Sequence, residues 1–312
     1  MLPISEASDV ERVGGKAHGL CQLVSWGFHV PDAYVIPAEV YREVVESGAV
    51  AKHIDSGPEL TRIRHAIQQS DFDHQLDTEL REVWSALEVE SDGPLAVACR
   101  SSAIGEDSSV TSFAGQHDTI LGITTFEGLV DAVRQCWASA WTDQAAAYRS
   151  RSGTPAPDMA VVIQRMARAD VSGVAFSLNP VTGDSSHVVI NSAYGLGELI
   201  VSGSITPDTF VVDRETRAVI SSEVSSDKTR MLVLTESGEV AKRQVEPARA
   251  MASSLDEQQV AEVAAAALRA EEKTGAPQDI EWAFEGSRLL MLQSRPVTGA
   301  VSAPVLNHCL YT

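Results

Sequence analysis

Cations are scarce in this sequence: 24 Lys and Arg stand against 43 Asp and Glu, a formal net charge of -19. That shortage excludes a broad nucleic-acid or anionic-membrane surface, because both depend on Lys and Arg to neutralise phosphate. Long apolar runs are missing too. None approaches the roughly 20 residues of a membrane span, and the opening MLPISEASDVERVGG has no basic segment followed by an apolar one. The expectation is a cytoplasmic chain without nucleic-acid or membrane partners.

Cysteine is sparse and scattered, at Cys21, Cys99, Cys136 and Cys309, with no C-x-x-C. Neither a disulfide framework nor a redox motif is indicated, and reduced, mostly buried thiols are expected. The eight histidines form no H-x-x-x-H or His/Cys cluster, which argues against zinc and leaves open a hard cation held by carboxylates. G-x-S-x-G is absent, and so is the G-x-x-x-x-G-K-[ST] phosphate loop.

What is present suffices for a core. Apolar residues make up 44% of the 312, far from the composition of a disordered chain, and the length suggests two lobes at about 150 residues each. The pattern predicts a glycine turn, a helix over Ala17–Ser25, an extended stretch Ala33–Ile36, and helical periodicity from Ala38 to Glu88 broken at Ser56-Gly57-Pro58. Leu95–Cys99 reads as a short buried strand that delivers Arg100 to its end. A polar loop, Ser101–Gly115, then leads to an extended segment Thr119–Gly122 and a helix bearing Trp137 and Trp141.

From Met159 strands take over: Met159–Gln164, Val171–Ser177, Val188–Ser192 and Thr209–Asp213. Ser254 with Glu257 reads as a capping box for a helix that Gly275 closes, and a hairpin of Asp279–Ala283 and Arg288–Gln293 follows. This mixture argues for α/β or α+β architecture in two lobes, 1–162 and 163–300, with 301–312 as a tail. A cleft between lobes is a natural ligand site.

The hairpin is the most informative local feature. Alternation puts Ile280 and Trp282 on one face and Asp279 and Glu281 on the other, with Gln293 and Arg295 on the polar side of the return strand. A three-residue turn, Glu285-Gly286-Ser287, places Asp279 opposite Gln293, side-chain bases about 5 Å apart. Two carboxylates, an amide and a guanidinium are the inventory for Mg2+ shared with a phosphate, and equally the wet face of an amphipathic hairpin. Gly14-Gly15-Lys16 before a helix suits a phosphate or a plain turn, and Arg100 suits an anion grip or a strand-end ion pair. His117, between Gln116 and Asp118, fits a phosphoryl acceptor or a structural hydrogen bond.

In order, VGGKAHGL at Val13, RSSAIGEDSSVTSFAGQHDT at Arg100, VVIQRM at Val161, SGVAFSLNPVTGD at Ser172, YGLGELIVSGSITPD at Tyr194 and DIEWAF with LLMLQSRPVT from Asp279 resemble the ATP-binding domain of the phosphoenolpyruvate synthase, pyruvate phosphate dikinase and rifampicin phosphotransferase family. The resemblance spans about Val13 to Thr298 and implies an α+β, two-lobed ATP-grasp fold with ATP and Mg2+ between the lobes. Lys16 and Arg100 are then similar to the family's phosphate-contacting cations, Gln164 to its nucleotide contact on the lobe-connecting strand, and Gly115 and Thr119 to its phosphate-covering loop. Glu281, Gln293 and Arg295 match its metal and phosphate residues, and Asp279 a further acid beside them. Lys16, Arg100 and Arg295 carry the catalytic assignment, and Asp279, Glu281 and Gln293 the metal assignment.

One departure accompanies the resemblance. The family passes phosphate to a histidine on a swivelling domain, in a Gly/Thr/Ser-rich setting, and no histidine here has that setting. The expectation is therefore an ATP-dependent phosphotransferase module serving a separate phosphohistidine carrier, and through it a small-molecule acceptor. A self-sufficient kinase or ligase of the same fold and a non-catalytic nucleotide-binding module are the alternatives.

Overall fold

The computed structural model describes residues 1–46, 48–55, 59–89, 91, 93–105, 119–143, 145–147 and 158–297. The expectations for Gly115 and His117, the helix break at 56–58 and the tail at 301–312 lie outside these residues. The chain divides into two compact units: Met1–Ser25, Asp32–Met166 and Glu236–Glu239 form the first, and Trp26–Pro31, Ala167–Thr235 and Val240 onward the second. The two exchanged segments, Trp26–Pro31 and Glu236–Glu239, are not foreseen by a single break at 162/163.

The first unit carries a five-stranded antiparallel sheet of β1 (Leu2–Pro3), β2 (Ala33–Ile36), β3 (Val97–Ala103), β4 (Thr119–Ile123) and β5 (Met159–Arg165), in the order β1-β2-β5-β3-β4. Its helices are α1 (Val10–Ser25), α2 (Ala38–Val45), α3 (Gly48–Asp55), α4 (Leu60–Gln68), α5 (His74–Val89) and α6 (Phe126–Ser139). Alternation on the central strands settles the layers. Val97, Cys99, Val161 and Ile163 join one core with Tyr41, Ile63, Ile67, Leu80, Leu87 and Trp137 from the helices, all essentially buried. Inside that core Trp141 Nε1 donates to the Tyr41 hydroxyl at 2.8 Å, so an indole is buried with its polar handle satisfied. Ala98, Arg100 and Ser102 project from the opposite face, where α1 lies.

The second unit has a six-stranded antiparallel sheet, β13-β12-β6-β7-β8-β9, and a separate hairpin of β10 and β11. The strands are β6 (Val171–Phe176), β7 (His187–Tyr194), β8 (Asp208–Asp213), β9 (Val219–Glu223), β10 (Arg230–Leu234), β11 (Val240–Gln244), β12 (Gln278–Glu285) and β13 (Arg288–Pro296). Two one-turn helices, α7 (Glu198–Val201) and α8 (Pro247–Ala250), precede the long α9 (Glu257–Thr274). Helix α9 buries Val260, Val263, Ala264, Ala267 and Ala270, spaced three and four apart, and the alanines let its backbone approach the sheet closely. Antiparallel sheets with helices packed against them make the chain α+β, one of the two classes that the element pattern predicts.

Three expectations are corrected. The capping box is Asp256 with Gln259, two residues beyond the expected Ser254 and Glu257: Asp256 Oδ1 accepts from Gln259 N at 2.8 Å and Gln259 Oε1 from Asp256 N at 3.0 Å. Ser254 is engaged elsewhere, by a buried carboxylate described below. Strand β3 runs on to Ala103, because Ser101 and Ser102 pair with Val161 and Ala160, so Arg100 is interior to a strand instead of at its end. The 12–13 hairpin turns in two residues, with Glu285 opposite Arg288, and a bulge after Glu281 adds one residue to β13. Each change moves the register by one, so Asp279 lies opposite Arg295, and Glu281 opposite Gln293.

Candidate functional site

In the first unit the site elements meet where α1 crosses β3. The span of α1 consists of two helical runs separated by a kink at Gly14, whose φ of 74° and ψ of 171° are not helical. A second helical run therefore starts at Gly15, with Lys16 in its first turn. Ser102 fixes this break: its Oγ donates to the Val13 carbonyl at 2.7 Å and accepts from Ala17 N at 3.2 Å. A Cβ on Gly14 would overlap the Ser102 carbonyl and hydroxyl, so both the conformation and the space require glycine.

Two residues before Ser102, and on the same face, Arg100 is only 9% exposed and its Nη1 donates to Gln164 Oε1 at 3.3 Å. Gln164 lies on β5, opposite Ala98, and is itself buried. Thr119, on β4, is the register partner of Arg100 and is exposed. Strand pairing thus brings Arg100, Gln164 and Thr119 together, and the Ser102 cap joins the Lys16 turn to the same strand. The Gln164 amide fixes the orientation of the Arg100 guanidinium, and in a low-dielectric setting charge attraction is stronger than in water.

In the second unit Asp279, Glu281, Gln293 and Arg295 share one face of β12 and β13, opposite the face that buries Ile280 and Trp282. Arg295 donates from Nε and Nη2 to Asp279 Oδ2 at 2.9 and 2.7 Å. Asp279 Oδ1 is buried and has no hydrogen-bond partner among the described residues. Burial pushes the Asp279 carboxyl above its ordinary value, the Arg295 charge and hydrogen bonds pull it down, and the nearby Glu281 charge adds to the rise.

Sequence reading missed what else gathers here. Glu198, at the start of α7, is exposed as a residue, yet its carboxyl is pushed up, first by partial desolvation and then by the charge of Glu281. In the sequence the loop Tyr194–Glu198 reads as a phosphate contact or a plain turn, and only folding sets it beside β12. Among the described residues no group of three or more His, Cys, Asp or Glu forms a ready cage for a metal. Two carboxylates and an amide instead offer a partial, hard-oxygen donor set, the kind Mg2+ completes with water and phosphate oxygens. The orphaned Asp279 Oδ1 fits that role.

The first unit thus carries a half-buried Lys16 on α1 and a buried Arg100 on its sheet, and the second unit a patch of carboxylates, amide and guanidinium on β12 and β13. The sequence matches the family described as "Pyruvate phosphate dikinase, AMP/ATP-binding domain" over residues 10–306, and the chain belongs to that family. It is 38% identical over 287 residues to the prodigiosin synthesizing transferase PigC of Serratia marcescens, covering 92% of this chain and 32% of that protein. A probable phosphoenolpyruvate synthase of Methanocaldococcus jannaschii is 34% identical, with 93% of this chain and 26% of that protein covered. The chain therefore spans about a quarter to a third of the length of these relatives. Among solved structures, a dinucleotide-forming acetyl-coenzyme A synthetase of Ca. Korarchaeum cryptofilum overlaps 91% of this chain and 92% of its own at 12% identity, with a TM-score of 0.42.

Proposed function

We propose that this chain is an ATP-grasp phosphotransferase module that binds Mg-ATP and begins a dikinase-type transfer, passing phosphate to a histidine carrier domain for onward delivery to a small-molecule acceptor. The observation that carries the reading is the β12–β13 patch, with the orphaned Asp279 Oδ1 beside Glu281, Gln293 and Arg295, in a chain of this family. Glu281, Gln293 and Asp279 would hold Mg2+, which when bound offsets charge on the phosphate oxygens. Lys16 and Arg100 bind and orient phosphate oxygens, and Gln164 fixes the Arg100 guanidinium so that it need not reorganise as charge moves. Arg295, oriented by Asp279, contacts phosphate oxygens as a further cation. Phosphoryl transfer needs positioning and charge neutralisation more than covalent help from protein, and these residues are of the type that supplies both. A cytoplasmic setting belongs to the same proposal; among the described residues no helix is long and apolar enough to cross a membrane.

The test is to incubate the chain with Mg-ATP, with and without a phosphohistidine carrier domain, and to separate the nucleotides by chromatography. Carrier-dependent AMP and phosphate are expected. ADP as the sole product would overturn the dikinase route. Glu281→Ala is expected to lower turnover by at least about a hundredfold with the fold retained, and unchanged turnover would remove the assignment of the patch.

A further inference from the structure

The least exposed charges in the second unit lie outside the patch just described. Lys228 is fully buried and its Nζ sits 2.6 Å from Oδ1 of an equally buried Asp208. Every oxygen of Asp208 is engaged: Oδ1 also accepts from Ser225 N at 2.8 Å, and Oδ2 accepts from Ser254 N and Oγ at 2.8 and 2.6 Å. Lys228 Nζ donates further to the Ser225 carbonyl at 2.8 Å. A buried ion pair of this kind is weak evidence for stability, since well-packed apolar residues of similar volume often do as well. Its use is better sought in what it holds in place.

Asp208 clamps two segments distant in sequence, and both lead to the same loop. From Lys228 the chain enters β10, where the Leu232 carbonyl accepts from Leu196 N at 2.8 Å. Gly195, with φ of 79°, presses so closely on that carbonyl that a Cβ would overlap it. From Ser254 the chain runs back through Ser253 and Ala252, whose carbonyls accept from the Tyr194 hydroxyl at 3.1 and 3.4 Å, and to Arg249, which stacks 4.2 Å above the Tyr194 ring. The loop Tyr194–Glu198 is thus held at Tyr194 by one branch and at Gly195-Leu196 by the other, and it lies beside the patch's strand: the Gly195 carbonyl accepts from Ser172 Oγ at 2.6 Å, and Ser172, on β6, is the register partner of Ala283 on β12.

We propose that the Asp208–Lys228 pair is a positioning device: it sets the Tyr194–Glu198 loop, and with it Glu198, against the β12–β13 patch. The inference rests on the proposed nucleotide chemistry for its consequence, but its structural half stands apart from it. The experiment replaces both charges at similar volume, Asp208→Asn with Lys228→Met, in the full chain, and reads amide exchange together with nucleotide turnover in the presence of a carrier domain. The variant is expected to keep a melting temperature close to wild type while amides at 194–198 exchange on the order of tenfold faster and those in the interior of α9 do not change. Turnover is expected to fall on the order of tenfold with nucleotide affinity altered less than about threefold, the signature of lost positioning. Unchanged exchange in the loop overturns the proposal, as does faster exchange with unaltered turnover. Should the double variant not fold, Ser254→Ala removes one bond to Oδ2 and tests the Tyr194 branch by the same readouts. A wild-type chain that turns over no nucleotide defeats the proposed function, and the exchange measurement then decides the positioning alone.

Discussion

Arg295 donates twice to one oxygen of a carboxylate that is almost wholly buried, so the state of Asp279 depends on it. Because burial raises the folded-state value of Asp279 above its unfolded one, the charged form counts against the fold. Stability falls as pH rises from the ordinary Asp range through the folded value. Arg295→Ala removes the cation that opposes this rise, so the window extends further upward. The variant is expected to lose about 2 to 4 kcal/mol near neutral pH and less as acid protonates Asp279; urea titrations over a pH series check it, and a loss independent of pH would contradict the pairing. At this scale the sequence reveals the inventory, since strand alternation puts Asp279, Glu281, Gln293 and Arg295 on one side. It does not reveal the partners, because a turn one residue shorter and a bulge after Glu281 each slide the register by one.

Between α1 and β3 one contact joins two elements that sequence alone treats separately. Gly14 takes a left-handed φ beneath Ser102, and Ser102 in turn caps the turn that carries Lys16. Gly14→Ala is expected to cost about 2 kcal/mol or more through strain and overlap, and to weaken Mg-ATP binding. Gly15→Ala, at a residue outside the positive-φ set, is the comparison and should lose much less. Denaturation and calorimetry on both variants decide; equal behaviour would mean that the α1 break has no role. Long periodic helices such as α5 and α9 are legible because an apolar stripe recurs every three to four residues. Strands β9, β10 and β11 are not: β9 is exposed throughout and the others only partly covered, so no alternation marks them. The N-cap of α9, Asp256, lies two residues beyond the Ser254 that the sequence suggests, for a related reason. Ser254 has a capping side chain, but Asp208, 46 residues earlier, claims it.

On the scale of the molecule, the proposed binding of a polyanion by a chain of net charge -19 places the burden on a few local cations and a divalent ion. Mg-ATP at about a hundredfold excess over its Kd is expected to raise stability by roughly 2.7 kcal/mol, and a chelator to remove most of that gain. Thermal melts with nucleotide, with and without chelator, measure it; an equal shift without the metal would count against the carboxylate patch. The two compact units draw on cores that composition and periodicity predict, and the exchange of Trp26–Pro31 and Glu236–Glu239 between them was invisible to local patterns. By itself the sequence determined the α+β class, the helical and strand periods, the scarcity of cations and the motifs that mark the family, since these follow from residue type and near-neighbour spacing. Only the tertiary structure decided that Arg100 is interior to its strand and tied to Gln164, that Asp279 pairs with Arg295, and that Asp208 and Lys228 are buried together. Those contacts join residues 16 to 64 apart in sequence, and such pairings are fixed by register, turn length and chain closure, which no local pattern encodes.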